Sequence, residues 1–68
     1  MTPTPRQFGM KLKKIREAKR LSQEKLAAKA RVSRGYLARL EAGQHDPTVG
    51  TAQRLAKALG VPVMELLG

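Results

Sequence analysis

The stretch from Ser22 to Gly43, SQEKLAAKARVSRGYLARLEAG, carries start and stop signals for two short helices joined by a tight turn. Ser22 can cap a helix beginning at Gln23, because its hydroxyl accepts from the unpaired N–H groups of a first helical turn, and Glu24 suits the positive end of that helix dipole. Ser33 can do the same for a helix beginning at Arg34. Leu26, Ala27 and Ala30 on the first helix, Val32 in the turn, and Leu37 and Leu40 on the second fall where two crossing helices need apolar contact. The small side chains of Ala27 and Ala30 let the two backbones approach. Gly43 follows the last apolar residue, where a left-handed residue commonly ends a helix.

Helical punctuation continues on both sides. Residues 1–5 read as a flexible tail whose Thr4 and Pro5 also suit the cap and first position of a helix, ahead of one domain over residues 6–68. This helix should run to about Lys19, with Phe8, Leu12, Ile15 and Ala18 on the core face and Lys11, Lys13, Lys14 and Lys19 facing outward. After a loop from Gln44 to Pro47, Thr48 suits the cap of a fourth helix, whose stripe of Val49, Ala52, Leu55, Ala56 and Leu59 stops at Gly60. Pro62 opens a short fifth helix through Leu67. No repeat or strand-like alternation is present, so the fold class is all-α with five helices.

Sixty-eight residues make one domain with a thin core, because a chain near this size buries only about 60% of its unfolded surface. An enclosed substrate cavity has no room. The absence of cysteine removes a disulfide framework and any thiolate metal site. No apolar run approaches the roughly 20 residues that span a bilayer, and MTPTP lacks the regions of a signal peptide. The expected location is the cytoplasm.

The formal net charge is +9, and its distribution matters more than its size. Residues 1–43 hold twelve basic and three acidic side chains, whereas residues 44–68 hold Arg54 and Lys57 against Asp46 and Glu65. The excess therefore sits on the first three helices, which favours a polyanionic partner such as double-stranded DNA over scattered charge that only aids solubility.

Taken together, the SQEKLA run at Ser22 to Ala27, VSRGYLARLEAG at Val32 to Gly43, the Asp46-Pro47-Thr48 loop and LAKALGVPVMELL at Leu55 to Leu67 resemble the lambda-repressor-like, or Cro/XRE-type, family of helix-turn-helix DNA-binding domains. The resemblance covers nearly the whole chain. It implies that the third helix is the reading helix, with Arg34, Gly35 and Arg39 at positions that commonly face bases. Each arginine can grip guanine or touch only phosphate, and Gly35 has no side chain to read with, so its role is close backbone approach. The resemblance also implies that Gln23, at the start of the second helix, holds a phosphate. Ser33 is both a cap and a candidate phosphate contact. Tyr36 either bonds phosphate or packs against its neighbours. Arg31 and Arg20 stand where the family usually has glycine; they add charge beside the DNA path and cost about 1 kcal/mol each if they keep a positive φ. Arg16 and Glu41 correspond to a salt bridge between the first and third helices, the alternative being that Glu41 only balances nearby positive charge.

The expected function is sequence-specific transcriptional regulation, with repression as the simplest form. A homodimer would place two reading helices roughly 34 to 36 Å apart on a pseudo-palindrome. The loop from Gln44 to Asp46 and the apolar residues Val61, Val63, Met64 and Leu67 are candidates for its interface or for the monomer core. No catalytic group, metal site, cofactor or small-molecule ligand is expected: His45 is the only histidine, and the glycines are not spaced around a lysine. Two other readings predict different partners. An antitoxin-type or adaptor module would bind chiefly another protein, and a membrane-surface binder would use the basic first helix, although the fold needs most of that helix's apolar residues.

Overall fold

The computed structural model describes residues 3–68, and its order of elements is α1 (Pro5–Ala18), α2 (Gln23–Ala30), α3 (Arg34–Glu41), α4 (Val49–Leu59) and α5 (Met64–Leu67). A hydroxyl starts each of the first four. Ser22, Ser33 and Thr48 accept from the backbone N–H of Lys25, Tyr36 and Thr51 at 3.0, 3.0 and 3.1 Å. Thr4 forms a reciprocal capping box with Gln7, and Pro5 fills the first helical position. Residues 1 and 2 of the expected tail lie outside the described residues.

The same hydrogen-bond pattern ends all four helices. The N–H groups of Leu21, Val32, Gln44 and Val61 donate to the carbonyls of Arg16, Ala27, Arg39 and Ala56, each five residues back, across a left-handed residue. Gly43 and Gly60 supply that residue twice, and Arg20 and Arg31 supply it at φ 57° and 60°. The turn of the central pair therefore keeps its geometry without glycine, at a cost of about 1 kcal/mol for each arginine.

Every helix contributes to one core: Phe8 and Leu12 from α1, Leu26, Ala27 and Ala30 from α2, Leu37 and Leu40 from α3, Ala52, Leu55, Ala56 and Leu59 from α4, and Leu66 from α5. α2 packs on α3 and α4, while α1 packs on α3 and α5. α3 is thereby held from two sides, with its remaining face open.

Three expectations shift. Ala18 is exposed, because the chain turns away at Lys19 and Arg20 before anything packs over the last turn of α1. Val49 is 69% exposed: it extends the stripe of α4 one turn beyond the helices that cover the rest of it. Thr51, linked to the Thr48 hydroxyl at 3.0 Å, is buried near that end instead. The fifth helix starts at Met64 rather than Pro62, whose carbonyl accepts from Glu65 in the turn that leads into it.

Two features fix α3 against α1. Gly9 lies where the helices cross, and a Cβ there would meet the Leu40 carbonyl oxygen inside van der Waals distance and stand 2.8 Å from the Glu41 carbonyl oxygen. Only hydrogen at this position permits the approach. At the other end of α1, Arg16 Nε donates to Glu41 Oε2 at 2.6 Å and its Nη2 to Oε1 at 3.0 Å. Arg16 Nη1 also donates to the Leu21 carbonyl at 2.8 Å, and Gln23 Nε2 donates to Glu41 Oε1 at 3.0 Å. The salt bridge expected between the first and third helices is therefore present, and it ties in the start of the second. The two side chains are only 10% and 3% exposed, so their charges are compensated by one another and by these bonds.

Replacing Gly9 by alanine should lower stability by about 1 to 2 kcal/mol, since overpacking against backbone outweighs the gain of about 1 kcal/mol in helix propensity. Thermal unfolding followed by circular dichroism measures it, and an unchanged or raised Tm would contradict the close crossing. Glu41→Ala leaves Arg16 buried without its partner and should cost about 3 kcal/mol or more, whereas the Arg16→Met/Glu41→Leu double variant recovers most of that loss in the same measurement.

Candidate nucleic-acid interface

The open side of α3 collects most of the residues singled out from the sequence. Arg34, Gly35 and Arg39 are all exposed. Gly35 and Arg39 stand one helical turn apart on one face. Arg39 Nη1 comes within 3.5 Å of the point a Gly35 Cβ would occupy, so the guanidinium reaches back along the helix over Gly35 toward the α3 N-terminus. The space above Gly35 is thus taken by the Arg39 guanidinium, and arginine dominates the exposed face of α3.

The elements around α3 bring further donors to this end of the molecule. Arg31 occupies the turn immediately ahead of α3 and is exposed, as is Ser33, whose Oγ accepts the Tyr36 N–H and keeps its own proton free to donate. Gln23, at the first position of α2, is half-buried, and one hydrogen of its amide nitrogen is committed to Glu41. Its orientation is thus set by the same carboxylate that holds Arg16. Arg20, exposed in the turn between α1 and α2, stands three residues ahead of Gln23. These turns place charge beside helix N-termini, where free N–H groups already favour anions.

Tyr36 is half-buried and packs on the core, and its ring lies 5.9 Å from that of His45 at an interplanar angle of 53°. The sequence did not link these two residues; the contact joins the loop after α3 to α3 itself. Val61, Val63 and Leu67 pack against the core, whereas Met64 is 64% exposed.

The electrostatics follow from how few acids are available. Among the described residues the Arg16–Glu41 pair is the one ion pair between side chains, and none of Arg20, Arg31, Arg34 and Arg39 has a carboxylate side chain within bonding distance. The hydrogen bonds that Arg16 donates to the Glu41 carboxylate hold its guanidinium above its ordinary pKa, against the opposing effect of burial. Arg16 therefore stays charged at any working pH and serves the architecture rather than the open face. Among the described residues no cluster of histidine and carboxylate side chains is suited to a metal ion, and no helix is long and apolar enough to cross a membrane.

Comparison with known proteins agrees with this geometry. Residues 12–66 match the helix-turn-helix family HTH_3. The chain is 40% identical over 60 residues to the immunity repressor protein of Bacillus phage phi105; the match takes in 88% of this chain but only 42% of the repressor. It is 38% identical over 61 residues to the control protein C.BamHI of Bacillus amyloliquefaciens, covering 88% of this chain and 75% of that protein. Its fold is similar to the restriction-modification controller protein C.AhdI of Aeromonas hydrophila, with a TM-score of 0.90 and 36% identity over 93% of this chain and 96% of that one. The chain belongs to the Cro/XRE-type helix-turn-helix family, whose members are DNA-binding transcriptional regulators and not enzymes.

Proposed function

We propose that the chain regulates transcription by inserting α3 into the major groove of double-stranded DNA, with Arg34 and Arg39 reading base edges and Gly35 allowing the backbone to approach. The observation that carries this reading is the open face of α3, on which Arg39 lies over Gly35 with no acid to neutralise it. An arginine on such a face can donate two parallel hydrogen bonds to guanine O6 and N7. Gln23, Ser33 and Tyr36 take phosphates on either side of the groove, and Arg31 and Arg20 add charge from the two turns. Gln23 suits this role because Glu41 fixes its amide, leaving the second amide hydrogen for a phosphate oxygen.

One short reading helix spans few base pairs, so useful specificity calls for a homodimer on a pseudo-palindromic operator. Exposed Met64 and the loop from Gln44 to Asp46 are the surfaces available for it. Occupancy of such a site in the cytoplasm excludes polymerase, which makes repression the simplest outcome.

The test is a fluorescence anisotropy titration of a random-sequence duplex at a series of salt concentrations. Binding that weakens linearly in log salt supports the reading, and no binding even at low salt overturns it. With sequences then enriched from a random pool, Arg39→Ala should relax preference at one position per half-site, at a cost of about 1 to 3 kcal/mol against the preferred base. Retained preference would remove Arg39 from the readers. Arg31→Gly should move two quantities in opposite directions: stability rises by about 1 kcal/mol as strain is relieved, while the salt dependence of binding weakens by about one phosphate contact.

A further inference from the structure

The fold assembles a second positive surface from two segments that are distant in sequence, and it shares Arg31 with the surroundings of α3. The C-terminal end of α2 lies beside the C-terminal half of α4, and the groove between them has a volume of about 580 Å³. Ala30 and Ala58 line it together with Lys29, Arg31, Arg54 and Lys57, all four of which are exposed. A neighbouring depression of about 490 Å³ shares Arg54 and Lys57 and continues along α4 to Thr48 and Gly50 at its first turn. No carboxylate lines either depression.

The helix dipoles account for part of this arrangement and not for the rest. Lys29 and Lys57 sit in the last turns of α2 and α4, where a cation complements the negative helix end. Arg54 is a full turn away from such an end. Arg31 lies past the last turn of α2 and holds a left-handed backbone to be there. Four cations gathered without an acid repel one another, and an anion laid between them relieves that repulsion.

The shape selects the anion. The paired depressions form a trough that runs along α4, which suits a chain of phosphates better than a single one. At its α2 end the trough begins at Arg31, in the turn that leads directly into α3. The trough therefore adjoins the N-terminal end of α3 through Arg31. We infer that the groove formed by Lys29, Arg31, Arg54 and Lys57 binds the sugar-phosphate backbone of the duplex beyond the segment read by α3. This inference rests on the DNA reading above and adds to it a contact with flanking DNA that carries no base preference.

The experiment compares the wild-type chain, Arg54→Gln/Lys57→Gln, and the control Lys13→Gln/Lys14→Gln, which removes the same charge from the exposed side of α1. Binding of each to a random-sequence duplex of about three helical turns is titrated across a range of salt. Two lost phosphate contacts should reduce the slope of log affinity against log salt by about 2 in the α4 variant, while the control keeps the wild-type slope. The sequences enriched from a random pool should be the same for both. Lys29→Gln, on the opposite wall, should reduce the slope by about 1 and keeps the inference testable if the α4 variant unfolds. If the α4 variant keeps the slope of the control, or if Lys29→Gln changes nothing, the flanking contact is wrong whatever else the groove binds. Altered sequence preference in the α4 variant would also overturn it, because the residues would then be reading bases. Absence of any wild-type binding to duplex would fall on the DNA reading itself, and on this contact with it.

Discussion

The bidentate pair between Arg16 and Glu41 is where the separate helices of this small domain become one object. Its geometry draws on three elements at once: Arg16 from the end of α1, the Leu21 carbonyl and Gln23 from the entry to α2, and Glu41 from the end of α3. A buried ion pair of this kind contributes little net stability compared with apolar packing of equal volume, since both charges must leave water. It does contribute uniqueness. A guanidinium fork with three directed bonds tolerates little rotation of α3 about its axis, and that rotation decides which side chains face outward.

Gly9 works on the same contact from the other direction. The ion pair sets the angle of α3, and the missing side chain at Gly9 sets its distance from α1. Together they let an eight-residue helix, too short to be stable alone, present a defined face. The rest of α3 follows from this: Leu37 and Leu40 are committed inward, so Arg34, Gly35 and Arg39 are left outward. The exposed face of α3 is thus the remainder of a packing solution: the residues left on it are those the core does not need.

Much of this was legible because it is local. Caps at Thr4, Ser22, Ser33 and Thr48 and stops at Gly43 and Gly60 depend on neighbours within a turn, and each occurs where hydroxyl and glycine chemistry puts it. The positive φ of Arg20 and Arg31 was visible only against a family pattern, since nothing in arginine itself favours it. What stayed hidden depends on how far a neighbouring helix reaches. Ala18 and Val49 continue correct apolar stripes past the point where anything covers them. The crossing at Gly9, the Tyr36–His45 contact and the meeting of Lys29 with Arg54 and Lys57 join residues whose spacing carries no periodic signal. The charge tally by segment, neutral after residue 43, obscured the last of these, because it counted Asp46 and Glu65 against cations that the fold turns toward a different face.

The two left-handed arginines carry a consequence for how long a molecule survives. A domain this size has a stability of only about 5 to 15 kcal/mol or less, and the two residues withdraw about 2 kcal/mol of it in exchange for charge at the turns. A ligand that binds only the folded form restores stability by mass action, by about 2.7 kcal/mol when its concentration is one hundred times its Kd. Chains on DNA are then shielded from unfolding, and free chains are the ones that open and meet proteases.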